Sequence, residues 1–217
     1  MADARPPWCV TRALISHHVR GPATVAAAVG LGAAAAAAGW TLLTGPLLSR
    51  DAGRVPPTAA PHIANAGARI PSPPREVQGP GDFRATVVPV AASADGEVIL
   101  PKDAQRGGWW ALGSPAGASQ GTMLIAGHVD TPAGLGAFAA IHDLRLGARL
   151  TVTAADGHTY PYIVAARRTY PQRNLPRDLF TRQGAPRLAL LTCGGTYERE
   201  AGGYDSNLVV YATPAPD

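Results

Sequence analysis

Two stretches of this chain are largely apolar and end in a chemically active side chain. Thr122-Met-Leu-Ile-Ala-Gly127 runs into His128, and Arg187-Leu-Ala-Leu-Leu-Thr192 runs into Cys193. Runs of this length suit strands buried on both faces. Around them the pattern predicts further short strands. Ala85–Val90 is one, and Gly96–Leu100 follows an Ala-Asp-Gly turn. Trp109–Leu112 is another, with one indole inward and one on the rim. Ala148–Ala154 and Thr159–Thr169 read as a hairpin across Ala155-Asp156-Gly157-His158, and Asn207–Ala212 as the last strand before a tail. Ser114–Gln120 is a turn-rich loop. Short helices are expected around Phe138–Asp143 and at Arg177–Arg182, the latter inside a long basic loop, Pro171–Pro186. About eight short strands with little helix imply a closed or nearly closed β-barrel.

The N-terminal third follows different rules. Residues 1–21 are polar and basic, with Arg5, Arg12 and Arg20, and residues 22–48 carry no charge. An uncharged run of that length can cross a hydrocarbon core of about 30 Å as a helix. The arginines before it predict a cytoplasmic N-terminus, with the rest of the chain outside the cell. A cleaved signal peptide is the rival reading. Its apolar region is normally about 7–15 residues, so the longer run favours an uncleaved anchor. Residues 49–81 read as a spacer, because Pro56-Pro57, Pro61, Pro71, Pro73-Pro74 and Pro80 oppose regular helix and favour extended segments. The folded domain is expected over 82–217. The formal charge of +4 is mild and concentrated beside the apolar run and in one loop, which argues against a nucleic-acid partner.

A buried strand that delivers a cysteine, and another that delivers a histidine, form a nucleophile and proton partner if folding brings them together. Cys193 and Cys9 are the two cysteines. A membrane segment between them would keep them apart, leaving Cys193 a solitary thiol. Alone, Cys193 is equally a buried structural cysteine and His128 a satisfied structural histidine. Of the other histidines, His158 falls in a hairpin turn, His142 reads as a surface or packing residue of the short helix, and His62 lies in the spacer.

The combination of Ala126-Gly127-His128-Val-Asp-Thr with Leu191-Thr192-Cys193-Gly194-Gly195, and then Asn207-Leu-Val-Val-Tyr-Ala212, resembles the sortases. It is most similar to their actinobacterial class F, or E/F, type. The resemblance covers roughly 84–212, and the anchor with its spacer fits it. It implies an all-β, eight-stranded barrel with short helices behind a transmembrane helix. It also implies a transpeptidase in which Cys193 is the nucleophile and His128 the general acid/base. The substrates it implies are proteins bearing a C-terminal Leu-Pro-x-Thr-Gly-like signal, cut between Thr and Gly, with a peptidoglycan-precursor amine as acceptor.

Sortases usually carry an arginine on the strand after the cysteine strand, to steady the oxyanion. That place is near Asn207 here; Arg199, six residues after Cys193, is the other candidate. The backbone amides of Gly194-Gly195 are a further candidate oxyanion site. Leu175, Leu179 and Phe180 of the basic loop are candidates for an apolar wall. No Cys-x-x-Cys pair or cluster of histidines and carboxylates marks a metal site, and no cofactor is expected. The alternatives are a cell-wall cysteine hydrolase or L,D-transpeptidase, which would carry Ser-His-Gly close before the cysteine, and a non-catalytic barrel that binds wall polymer.

Overall fold

The structure is a computed structural model that describes residues 50–58, 70–91, 98–200 and 202–216. Eleven strands are described: β1 (Ala52–Gly53), β2 (Pro74–Gln78), β3 (Arg84–Val90), β4 (Arg106–Trp110), β5 (Thr122–Gly127), β6 (Asp130–Thr131), β7 (Gly134–Leu135), β8 (Arg149–Ala154), β9 (Thr159–Pro171), β10 (Arg187–Glu198) and β11 (Gly203–Pro214). Eight close on themselves in the order β2-β3-β4-β5-β10-β11-β9-β8, with β8 pairing back to β2. Closure leaves no free sheet edge in the barrel. β1 adds to β9 as a short ninth strand, and β6–β7 form a separate ribbon. Short 3-10 helices over Ala137–Asp143 and Arg177–Phe180 stand where short helices are expected.

The alternation of side chains sorts the core into two layers. Inside the barrel lie Met123 and Ile125 of β5, Leu188 and Leu190 of β10, and Leu208, Val210 and Ala212 of β11, packed with Phe83, Phe138, Leu150 and Val152. Outside, Leu124, Ala126, Ala189, Leu191, Val209 and Tyr211 form a second cluster. Leu179 belongs to it, with Leu175, Phe180, Trp110 and Val55 packed against it. β5, β10 and β11 are therefore covered on both faces, which is why they read as largely apolar runs. Trp109 is in the inner core and Trp110 meets Phe180 edge-on at 5.2 Å, as expected of one inward and one rim indole.

Three segments differ from expectation. Pro74–Gln78, inside the expected spacer, is a barrel strand paired to both β3 and β8, with Val77 fully buried. Proline suits the first residue of a strand, where no ladder donor is needed. The strand expected at Gly96–Leu100 is reduced, in its described part, to one bridging residue, Val98. β10 does not stop at Cys193 but continues to Glu198, because Gly194 pairs with Ser206 and a register shift before Tyr197 absorbs Gly195 at φ +81°.

The stretch 51–57 is strapped to the barrel. Arg168 donates to Ala52 O and Gly53 O, and Asp51 accepts from Thr169 N. Arg187, 2% exposed, donates to Pro56 O, Thr122 Oγ1 and Asp178 O, pairs with Asp178 Oδ2 at 3.1 Å and stacks on the Tyr211 ring. No helix among the described residues is long and apolar enough to cross a membrane. The expected anchor at 22–48, with residues 1–21, lies outside the described residues.

Candidate active site

β5 and β10 are parallel neighbours, in register from Arg187 opposite Thr122 to Leu191 opposite Ala126. That offset of 65 residues is also the separation of His128 and Cys193. Continued past the Ala126–Leu191 pair, the offset sets Cys193, inside β10, level with His128, the first residue after β5. Cys193 follows Ala189 and Leu191 in the outward series of β10, and His128 follows Leu124 and Ala126 in that of β5. Thr192 Oγ1 donates to Gly127 O at 2.8 Å, tying the two strands one residue before each candidate.

Asn207 is the direct cross-strand partner of Cys193, in the same outward series as Val209 and Tyr211. It is 3% exposed, and its Nδ2 donates to Gln172 O at 3.0 Å. It is not a cap at a strand start, because β11 begins four residues earlier. Cys193 is 5% exposed and lines a shallow pocket with Leu100, Ala126, Gly127, Leu191, Thr192 and Asn207. The 3-10 helix Arg177–Phe180 covers the outer layer beyond it. Arg199 sits in the exposed turn at the tip of the β10–β11 hairpin, beyond the Glu198–Gly203 pair. The structure brings Cys193 and Asn207 together in the pocket and leaves Arg199 away from it, while His128 follows the last residue of β5 and is not among the residues lining the pocket. Of the amides after Cys193, that of Thr196 donates to Asp205 Oδ1.

His128 Nε2 lies 2.9 Å from Pro101 O. A carbonyl only accepts, so Nε2 carries the proton and Nδ1 is left to exchange one. On the other side of Cys193, Val129, Ala139 and Tyr204 form a small apolar cluster with it, and Tyr204 donates its hydroxyl to Asp130 Oδ2 at 2.7 Å. Burial, with the Asp130 carboxylate beside it, pushes that hydroxyl above the usual tyrosine range.

His142 was expected on the surface or in packing. Instead its Nε2 donates to Cys193 O at 3.0 Å, and Arg167 donates to His142 O and Leu144 O. Burial holds this imidazole below the usual histidine range, against the hydrogen bond to Cys193, which acts the other way.

The chain's other cysteine, Cys9, lies outside the described residues, and only the reduced form of Cys193 can act as a nucleophile. Among the described residues, no three His, Cys, Asp or Glu side chains group to hold a metal ion.

A model of the sortase domain family matches residues 82–215. The chain belongs to the sortase family. Among solved structures this sortase is similar to sortase A from Corynebacterium diphtheriae, at 15% identity and TM-score 0.50, covering 70% of this chain and 64% of that one. It is also similar to sortase A of Listeria monocytogenes, at 16% identity and TM-score 0.50, covering 68% and 89%. Sortase E from Streptomyces avermitilis matches at 19% identity and TM-score 0.46, covering 68% and 91%. At these identities the likeness concerns the barrel fold. This sortase spans just under two thirds of the length of the Corynebacterium protein. No curated protein matches it.

Proposed function

We propose that this sortase is a membrane-anchored cysteine transpeptidase of the class F, or E/F, type. It acts outside the cell on proteins with a Leu-Pro-x-Thr-Gly-like C-terminal signal. The observation that supports the reading is the β5–β10 register, whose 65-residue offset is also the separation of His128 and Cys193, with Asn207 directly across from Cys193.

In the reduced protein the Cys193 thiolate attacks the carbonyl carbon between Thr and Gly. A C–S bond forms, the C–N bond breaks, and His128 passes the proton it took from the thiol at Nδ1 to the departing glycine amine. An amine of a cell-wall precursor then attacks the thioester. It loses a proton to His128 as the thiolate leaves. Asn207 is the group suited to steady the oxyanion: its Nδ2 carries two hydrogens, and Gln172 O takes one. Arg199, exposed at the hairpin tip, is not assigned this role.

The test is incubation of the reduced full-length protein with a signal-peptide library and an amine acceptor, read by mass spectrometry. Amine-coupled product from wild type and none from Cys193→Ala supports the reading. Turnover retained in Cys193→Ala overturns it, and hydrolysed product alone would instead indicate a cysteine hydrolase. Asn207→Ala should lower kcat by roughly 10²-fold, the effect of losing one oxyanion donor, and Arg199→Ala should leave it unchanged.

A further inference from the structure

β5 and β10 run together only to the Ala126–Leu191 pair. Past it, β5 leads into Gly127 and His128 and then into the β6–β7 ribbon, while β10 carries on with β11. The flank of β10 that β5 had covered loses its strand neighbour at Cys193. A buried backbone carbonyl without a donor is strongly unfavourable. His142 supplies the donor, with Nε2 at 3.0 Å from Cys193 O. The ring also reaches the next residue: a Cβ placed on Gly194 would lie 3.5 Å from His142 Cε1.

The imidazole is itself held from behind. Its helix is rooted by Phe138 and Ile141 in the inner core, and Arg167 takes the carbonyls of His142 and Leu144. The result is a chain of contacts from β9 through the 3-10 helix to the backbone of Cys193.

We propose that His142 is a positioning residue for the nucleophile. It replaces the departed strand, fixes the Cys193–Gly194 peptide, and so sets where the sulfur stands relative to His128. It acts through Cys193 and does not touch the reacting atoms. This inference rests on the reading of Cys193 as nucleophile.

The experiment compares His142→Leu and His142→Gln with wild type in the reduced full-length protein. Glutamine retains an N–H donor and leucine does not. Melting temperature, kcat and KM for the signal peptide, and the pH profile of Cys193 alkylation by iodoacetamide are measured. The expected result for His142→Leu is kcat lower by about 10²-fold, the scale of a misplacement near 1 Å, with KM unchanged and alkylation at neutral pH slowed. His142→Gln should recover most of both. If His142→Leu melts lower but keeps the wild-type kcat and alkylation profile, His142 is merely structural and the proposal fails. It also fails if His142→Gln is as slow as His142→Leu. Should His142→Leu not fold, His142→Asn, whose amide is shorter, takes its place, and wild-type kinetics in that variant overturn the proposal. If the wild type alkylates but turns over no peptide, the sorting-signal reading has failed, and the alkylation comparison still decides the role of His142.

Discussion

Thr192→Val tests whether the link between the two strand ends matters to the chemistry. The hydroxyl of Thr192 donates to Gly127 O at 2.8 Å, and both residues precede a candidate catalytic side chain. Valine keeps the shape and removes the donor. A buried acceptor left without a partner costs about 1–3 kcal/mol. For a domain of this size each kcal/mol lowers Tm by about 3 °C, so the expected drop is about 3–9 °C. Thr192→Ser keeps the donor and loses one methyl, about 0.8 kcal/mol, or roughly 2–3 °C. Release of the Gly127 carbonyl also frees the end of β5, and kcat should fall by about 10- to 100-fold in the valine variant. The serine variant should stay within a few-fold of wild type. Circular dichroism melts and amine-coupling kinetics on the full-length protein decide the matter. A valine variant with wild-type Tm and kcat refutes the argument, and so does a serine variant as impaired as the valine one.

Three further outcomes follow from the same contacts. A chain starting at residue 82 lacks β2, which pairs on both sides, so the barrel opens between β3 and β8; it should lose the cooperative melt that a chain starting at residue 50 keeps. In Gly127→Ala the new Cβ would stand 2.2 Å from Phe138 Cδ2; overpacking of this kind costs about 1–3 kcal/mol, and the variant should melt lower and couple amine more slowly, whereas wild-type values in both assays would contradict the packing. Stability should fall as pH drops below about 6.5, because His142 stays neutral when folded while the unfolded chain takes up a proton at the ordinary value. Urea unfolding between pH 8 and 5 should show that slope in wild type and a flatter one in His142→Gln, and equal slopes would rule out this titration.

The elements that carry the candidate site were legible because β5 and β10 are buried on both faces, and burial of that kind writes a largely apolar run ending in His128 and Cys193. The hairpin β8–β9 was legible from its turn. β2 was not: its two buried residues are Pro74 and Val77, and Pro74 reads as spacer until two neighbouring strands are seen to pair around it. Two glycines after Cys193 suggested a strand end, yet Gly195 gives the bulge that lets β10 and β11 continue, which shifts Asn207 from a strand start to the middle of a ladder. Arg187 reads as the charged head of an apolar strand; only folding shows that its donors are satisfied by Thr122, Pro56 and Asp178. His142 carried no local signal, since its partner is a carbonyl exposed by the departure of a distant strand.

The parallel ladder between β5 and β10 has a kinetic meaning. Its partners are 65 residues apart, and no hairpin or local helix can bring them together early. Thiol and imidazole should therefore meet only as the barrel closes, so a half-folded chain carries the ingredients of acyl transfer without the reactivity. During refolding of the reduced protein, enhanced alkylation at Cys193 should rise in step with barrel formation rather than ahead of it.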